Sequence, residues 1–485
     1  MRISPLRAVA VAVVFVATAC GSRATPTQLA TARARNSGGP ALAASATGPA
    51  AAGGVGASDA TAEGTTGEAA GGASAAATSS GGSATGGSTT GGPAENVAAP
   101  AGGNGGATDI GVTADTYTLG NVATLSGPVP GIFQGAVIGS QAGVAYLNGK
   151  GGMFGRKFKL DVRDDQFDTG QNRAQTIDLL GKAFAFTGSF SLYDDAALEQ
   201  IVKSGIPDVT YSLSEPRRAI GNNFSIQPGV KGWRLGPLNY FKAKYPDAVK
   251  NVGTLYGDVP ASKSSYDGWK QAAESIGYKI TYERGISPTE TDFTADVVRM
   301  RQAGVKMVYF MALDYKATAR VAKAMQQQSF KTQAFVSGGV AYDPGLLTLG
   351  GSAVDGIIDE QQMSMYIGED SASIPEVALF NQWLQKVRPG YKPDLFAVFG
   401  WASVRLFEKA LQAAGPKATR ADVVRELKKI DNFDDYGLLA PAGPASKRPA
   451  SCYILITIKN GKFERYDSPA PAYRCNDGPY YRYKA

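Results

Sequence analysis

From Thr108 onward the chain alternates between two hydrophobic periodicities. Short apolar runs of strand type are followed by stretches whose apolar positions recur every three or four residues, as on one face of a helix. The run Thr116–Thr124 (TYTLGNVAT) ends in the Gly-rich loop Leu125–Gly135 (LSGPVPGIFQG), and a helical pattern follows. Lys157–Asp165 reads as a strand, with Asp168 and Thr169 placed to cap the next helix. Ala183–Ser189 and Ile206–Ser212 are further strands, with a helix across Tyr193–Gly205 between them. Strand patterns then fall at Asn251–Gly257, Tyr278–Gly285, Lys306–Leu313 and Gln333–Gly339. Helical patterns at Tyr266–Gly277, Phe293–Gly304 and Ala317–Gln328 separate them. Such alternation predicts parallel sheets covered by helices on both faces. The βα units are too numerous for one compact sheet, which points to two α/β lobes.

In open parallel sheets a ligand binds beyond the carboxyl ends of the strands. Six loops therefore become candidates: Leu125–Phe133, Gly188–Asp195, Thr210–Pro216, Leu255–Ser262, Met311–Ala317 and Val336–Asp343.

The 107 residues before this pattern differ in kind. Arg2 and Arg7 precede an apolar run, Ala8–Ala19, too short to span a bilayer and suited to a signal peptide. The run closes as VATAC on Cys20, which resembles the lipobox of bacterial lipoproteins. That resemblance implies cleavage after residue 19 and a lipid on Cys20; the alternative is an ordinary signal peptide with an incidental cysteine. Residues 20–107 are rich in Gly, Ala, Ser and Thr and have almost no large apolar residue. They bury too little to offset chain entropy, so they are expected to be a tether with a root-mean-square reach of roughly 50 Å. Its Ser/Thr content also allows an O-glycosylated stalk. The folded part would then work at the outer face of the cytoplasmic membrane without entering it.

Composition narrows the chemistry. The 485 residues contain no histidine and three cysteines, which excludes a His-dependent triad and argues against a structural zinc site. A net charge of +7, without long basic runs, does not suggest a nucleic-acid partner. The opening loop lacks both G-x-G-x-x-G and G-x-x-x-x-G-K-[ST], so a phosphate cradle is unsupported. Gly149–Lys157 reads as a helix stop, and Asp164–Asp168 lacks the spacing of a calcium loop. No G-x-S-x-G elbow occurs, although composition leaves a Ser-Lys pair open. The expectation is a protein that is not an enzyme and carries no metal or cofactor.

The segment LGNVATLSGPVPGIFQGAVIGSQAGVAYLNGKGGMFGRKFKLDVRDDQFDTGQNRAQ resembles the start of type I periplasmic binding proteins of the branched-chain amino acid and amide-binding family. The shared order is a strand into SG, a loop, a helix ending in N-x-K-GG, and a strand ending in DD. Phe396–Gly415 resembles the family's late amphipathic helix, so the likeness covers about residues 108–470. It implies two Rossmann-like lobes joined by three crossovers, near Ser225–Val230, Ile358–Gln362 and Leu439–Ser451, with a ligand cleft between the lobes. The first lobe would hold 108–229 and 359–440; the second would hold 230–358 and 441–485.

The resemblance also places candidate ligand contacts. Ile132 or Phe133 would lie over the ligand. Ser191, then Ser212 and Ser214, would meet a carboxylate with hydroxyl and backbone donors; the alternative is that these serines only cap helices. Where amino-acid-binding members carry an acid, this chain has Gly339, and no aromatic follows LYGD. Asp314 beside Tyr315 is the nearest compensating acid, with Asp343 beside Tyr342 second. If Asp314 caps the following helix instead, the cleft lacks that cation partner. Leucine-like amino acids, amides, urea and small acids all fit this reading.

Tyr453–Tyr466 predicts a hairpin around Asn460-Gly461. Cys452 and Cys475 flank it, and outside the cytoplasm a bridge between them would persist, stabilising by about 3 kcal/mol in the chain-entropy model. The alternative is two free buried thiols. The function implied is a monomeric solute-binding lipoprotein serving an ABC importer, whose permease and ATPase subunits are separate chains. A ligand sensor using the same fold, or a surface antigen with a vestigial cleft, are the rivals.

Overall fold

The computed structural model describes residues 98–482, apart from Ala99, Val129, Val230, Lys231 and Ala312. The expected signal peptide, Cys20 and most of the tether lie outside the described residues. The end of the tether is a correction to the compositional reading. Buried Arg156 donates to the carbonyls of Asn104 (2.8 Å) and Gly106 (2.6 Å), and Thr108 donates to Ala418 O. Chain packed onto the fold therefore reaches back to about Asn104, whose carbonyl and that of Gly106 join Thr113, Tyr117 and Pro416 as acceptors around the same buried guanidinium.

β1 (Thr116–Ala123) leads into α1 (Gln134–Gly149), and β2 (Lys157–Asp164) leads into α2 (Thr169–Leu180). β3 (Ala185–Thr187), α3 (Leu198–Ser204), β4 (Asp208–Val209) and α4 (Glu215–Ala219) follow. The second set runs β5 (Gly232–Arg234), α5 (Leu235–Lys244), β6 (Val252–Gly257), α6 (Pro260–Ser275), β7 (Ile280–Ile286), α7 (Thr294–Gln302) and β8 (Met307–Met311). It continues through α8 (Tyr315–Gln327), β9 (Ala334–Gly338), α9 (Pro344–Gly350) and β10 (Ile358–Gln361). Three helices return to the first sheet: α10 (Pro375–Val387), α11 (Leu395–Ala414) and α12 (Arg420–Leu427). β11 (Ile454–Lys459), β12 (Lys462–Arg465) and β13 (Tyr480–Arg482) complete the chain.

The strands form two main sheets. The first, in order β2-β1-β3-β4, is wholly parallel. The second, in order β12-β11-β10-β9-β8-β6-β7, is parallel from β6 to β10, and β11 and β12 are antiparallel. β10 thus belongs wholly to the second sheet, and the chain leaves for the first lobe at Gln362 rather than at 359. The β11–β12 turn has positive φ at both Asn460 (51°) and Gly461 (70°), as a type I′ hairpin needs. A separate antiparallel pair joins β13 to β5.

Two local expectations shift. Asp168 caps α2 as read, accepting the Gln171 N–H at 2.8 Å. The helix expected from Tyr193, however, begins only at Leu198. The Asp194 carboxylate turns away from its own chain to accept the N–H groups of Leu213 (2.6 Å) and Ser214 (3.2 Å), so it cannot cap a helix there.

The helices α1 and α11 touch backbone to backbone. A Cβ on Gly139 would fall 1.9 Å from the Ala397 carbonyl oxygen, and one on Gly400 would fall 2.1 Å from that of Ala136. Only glycine permits that approach. Below it, α11 buries Arg405 among Glu376 (3.0 Å), Glu408 and Asp435 (3.8 Å), with Trp401 Nε1 also donating to Glu376. Gly139→Ala is expected to destabilise the protein by about 2 kcal/mol or more through overpacking, read as a lower urea midpoint at unchanged slope.

Candidate functional site

In each sheet the strand order reverses at one point, between β1 and β3 in the first and between β6 and β8 in the second. A crevice forms at such a switch point, outside the carboxyl ends of the strands. The loops after those strands and the amino ends of α1, α8, α9 and α11 surround it. Charges from the two lobes reach one another there. Asp394, which caps α11 in the first lobe, acts electrostatically on Tyr315 and Asp343 of the second.

The first lobe presents a wall of five rings. Phe133 immediately precedes α1 and lies 4.6 Å from Phe190 and 5.1 Å from Phe396, centroid to centroid. Tyr211 stacks on Phe399 at 4.4 Å and on Phe190 at 5.5 Å. Phe133, Phe190 and Phe399 are buried, whereas Phe396 and Tyr211 remain half-buried and can still meet a ligand. Phe190 and Tyr211 stand in loops singled out from sequence. Phe396 and Phe399 were not, although their i, i+3 spacing at a helix start places both on one face.

The serines take a different role from a free hydroxyl row. Ser191 is 1% exposed; it donates to the Asp165 carboxylate and accepts from Asn172 Nδ2 and the Tyr193 N–H, both at 3.0 Å. Ser212, also 1% exposed, accepts from Asn223 Nδ2 at 3.1 Å. Ser214 is half-buried, with its N–H and hydroxyl beside Asp194. Burial raises the Asp194 carboxyl above the ordinary range, while Arg217 and these donors oppose the rise.

On the second lobe, Asp314 is exposed and caps α8, accepting the Ala317 N–H at 2.8 Å. The capping alternative is therefore the geometry seen, and one carboxylate oxygen is committed to it. Tyr315 is half-buried, with its ring against Gly345. Tyr342 is a core residue: it is 1% exposed, donates to Glu369, and packs 4.8 Å from both Tyr366 and Phe463. It is not brought together with Phe133. Gly339 has φ +74° and gives its carbonyl to Gln361 Nε2 at 2.8 Å. Asp343 caps α9 through the Gly345 N–H at 2.6 Å. Burial, reinforced by the charge of Asp394, pushes its carboxyl up to about 6.

A cavity of about 450 Å³ is lined by Leu125 and Gly131 of the loop after β1, by Gln134, Ile138 and Gln141 of α1 and by Arg388, all from the first lobe. Cys452 and Cys475 form a disulfide. Among the described residues no group of three or more His, Cys, Asp or Glu side chains is arranged to hold a metal ion, and no helix is long and apolar enough to cross a membrane.

Comparison with known proteins agrees with this architecture. The profile of the periplasmic binding protein family matches residues 116–462. The chain belongs to that family; it is a two-lobed solute-binding protein and not an enzyme. The Leu/Ile/Val-binding protein homolog 2 of Brucella abortus (strain 2308) is 26% identical over 339 residues, covering 68% of this chain and 86% of the relative. An amino acid binding protein of Pseudomonas aeruginosa is 28% identical over 284 residues, covering 56% and 71%. Among solved structures, a branched-chain amino acid ABC transporter protein from Thermus thermophilus with bound valine has a TM-score of 0.61 at 17% identity, covering 73% of this chain and 96% of that one. A fatty acid ABC transporter substrate-binding protein from Thermomonospora curvata has a TM-score of 0.62 at 20% identity, covering 77% and 97%. Both structures share the two-lobed type I fold.

Asp343 gives a signed pH dependence. Its folded pKa of about 6 exceeds the unfolded value near 3.9, so between them the folded chain binds more protons. Its contribution is full below about pH 4 and is lost as pH rises through about 6. Asp343→Asn keeps a capping side chain, so its melting temperature relative to the parent is expected to rise between pH 4 and pH 7.

Proposed function

We propose that the chain is a lipid-anchored, extracytoplasmic solute-binding protein that hands a small molecule to an ABC importer. Its ligand has an apolar, branched or aromatic body and a head that donates hydrogen bonds, an ammonium or an amide. The five-ring wall carries this reading, since such a surface rewards burial of an apolar body at about 25 cal/mol per Å². The groups grouped at the second-lobe side and at the α11 cap, Asp314, Asp343 and Asp394, are acceptors and suit a donating head. Ser191 and Ser212 are spent on internal partners, so these two hydroxyls are not free for a bare carboxylate. The names of the Brucella and Thermus relatives agree with an amine-bearing, branched ligand. A fatty acid is the second reading, favoured by the aromatic wall itself and by the name of the Thermomonospora neighbour.

Thermal unfolding of residues 104–485 against leucine, isovaleramide, isovalerate and octanoate separates the two. A ligand at 100 times its dissociation constant adds about 2.7 kcal/mol, a visible shift. Leucine or isovaleramide is expected to produce it, and Phe396→Ala to weaken that binding at least about tenfold. A shift confined to octanoate would transfer the assignment to the fatty acid reading. For the anchor, Cys20→Ala is expected to abolish labelling by a radioactive fatty acid and to release the protein from the membrane fraction. Unchanged labelling would remove the lipid from the proposal.

A further inference from the structure

The three passages between the lobes lie side by side. Gln227 Nε2 in the first donates to Gln362 O in the second at 2.9 Å. Gln362 Nε2 donates to Ala450 O in the third at 3.2 Å, and the Ala440 N–H donates back to Gln362 O at 2.8 Å. Lys447 of the third passage donates to the Asn223 carbonyl of the first lobe. A hinge laced this way bends as a unit.

The C-terminal segment is fastened across it. Cys475 is bonded to Cys452 at the end of the third passage, and Tyr453 and Arg474 exchange backbone hydrogen bonds at 2.9 and 2.8 Å. Asp477 O accepts from Asn239 Nδ2 at 2.8 Å, and Pro479 O accepts the Leu235 N–H at 3.0 Å. β13 then pairs with β5, the first strand after the first passage, setting Tyr480 opposite Arg234 and Arg482 opposite Gly232. The Tyr480 ring covers the Gly232 position, where a Cβ would stand 3.0 Å from it. On the other side of the same passage, the Arg218 guanidinium of the first lobe lies against Gly229, 3.1 Å from where a Cβ would be. The charge of Arg218 reaches the Tyr480 hydroxyl, as does Tyr211 of the aromatic wall.

We propose that residues 475–482 form a hinge strap, and that Tyr480 is a positioning residue for lobe closure: it holds the first passage against Arg218 while the disulfide holds the same segment to the third. The strap thereby fixes the angle at which the aromatic wall meets the second lobe. This goes beyond the ligand assignment and does not depend on it. A hinge whose strands are cross-tied samples fewer relative orientations of the two lobes before any ligand arrives.

The test is hydrogen exchange and small-angle scattering on the full folded chain without ligand. Tyr480→Ala is expected to speed exchange about tenfold in peptides covering 219–229, which lie outside the β5–β13 pairing, and to enlarge the radius of gyration. Peptides covering 116–123 in the first sheet should exchange as before. Cys452→Ser with Cys475→Ser should give the same pattern more strongly. Tyr480→Phe, which keeps the ring on Gly232 and removes only the hydroxyl, should accelerate exchange less than Tyr480→Ala does, whereas general unfolding would also accelerate 116–123. Acceleration confined to 232–235, the direct pairing partners, or an unchanged radius in the alanine variant, would overturn the proposal and leave β13 a local strand pair.

Discussion

The close approach of α1 and α11 is the constraint on which the binding face depends. Their backbones meet because Gly139 and Gly400 offer no Cβ, and the same approach brings Asp394 against Gly135. The residues just before and just inside these helices are Phe133 and Phe396, so their rings are set side by side. Phe190 and Tyr211 then complete the surface from the ends of the strands. The wall is thus a consequence of helix packing behind it. Its position over the switch point of the first sheet is what makes it the candidate binding face.

Several buried side chains around that face are tied to one another, as buried hydrogen-bonding groups usually are. Ser191 and Ser212 are deeply buried, and their hydroxyls join Asp165, Asn172 and Asn223 in holding the loops. Asp194 similarly fastens Leu213 and Ser214. These contacts preorganise the loops that carry the rings. Asp343 and Asp394 cap helices from different lobes, and the charge of Asp394 acts on Asp343. Burial raises both carboxyls, and the charge of Lys316 only partly offsets the rise at Asp343.

The chain's charged interior shows the same economy elsewhere. Arg405 serves three carboxylates, and Asp435, wholly buried, is pushed well above the ordinary carboxyl range by burial and by Glu376. Arg217 pairs with Asp208 at 2.9 Å, and Arg234 pairs with Glu360 at 2.6 Å, inside opposite lobes. Breaking such pairs strands a buried charge, which costs several kcal/mol. They fix the orientation of the short strands β4 and β10, whose few residues would hold them weakly otherwise.

Local chemistry determined much of this protein from sequence alone. Alternating apolar periods specify parallel sheets, Asp168 specifies the start of α2, and Asn460-Gly461 specifies the hairpin, because each depends on neighbours within a few residues. The loops that hold Phe133, Phe190 and Tyr211 follow from the strand ends for the same reason. What the sequence left open involves distant partners. Asp314 was poised between capping and ligand pairing, and the N–H of Ala317 in its folded place takes one of its carboxylate oxygens as a cap. Tyr342 sits beside a candidate loop in sequence but turns into a core completed by Phe463, more than a hundred residues away. Asp194 reaches Leu213 instead of its own helix, and β13 finds β5 almost 250 positions earlier. Such pairings depend on which surfaces the fold brings together, a fact that local pattern does not contain.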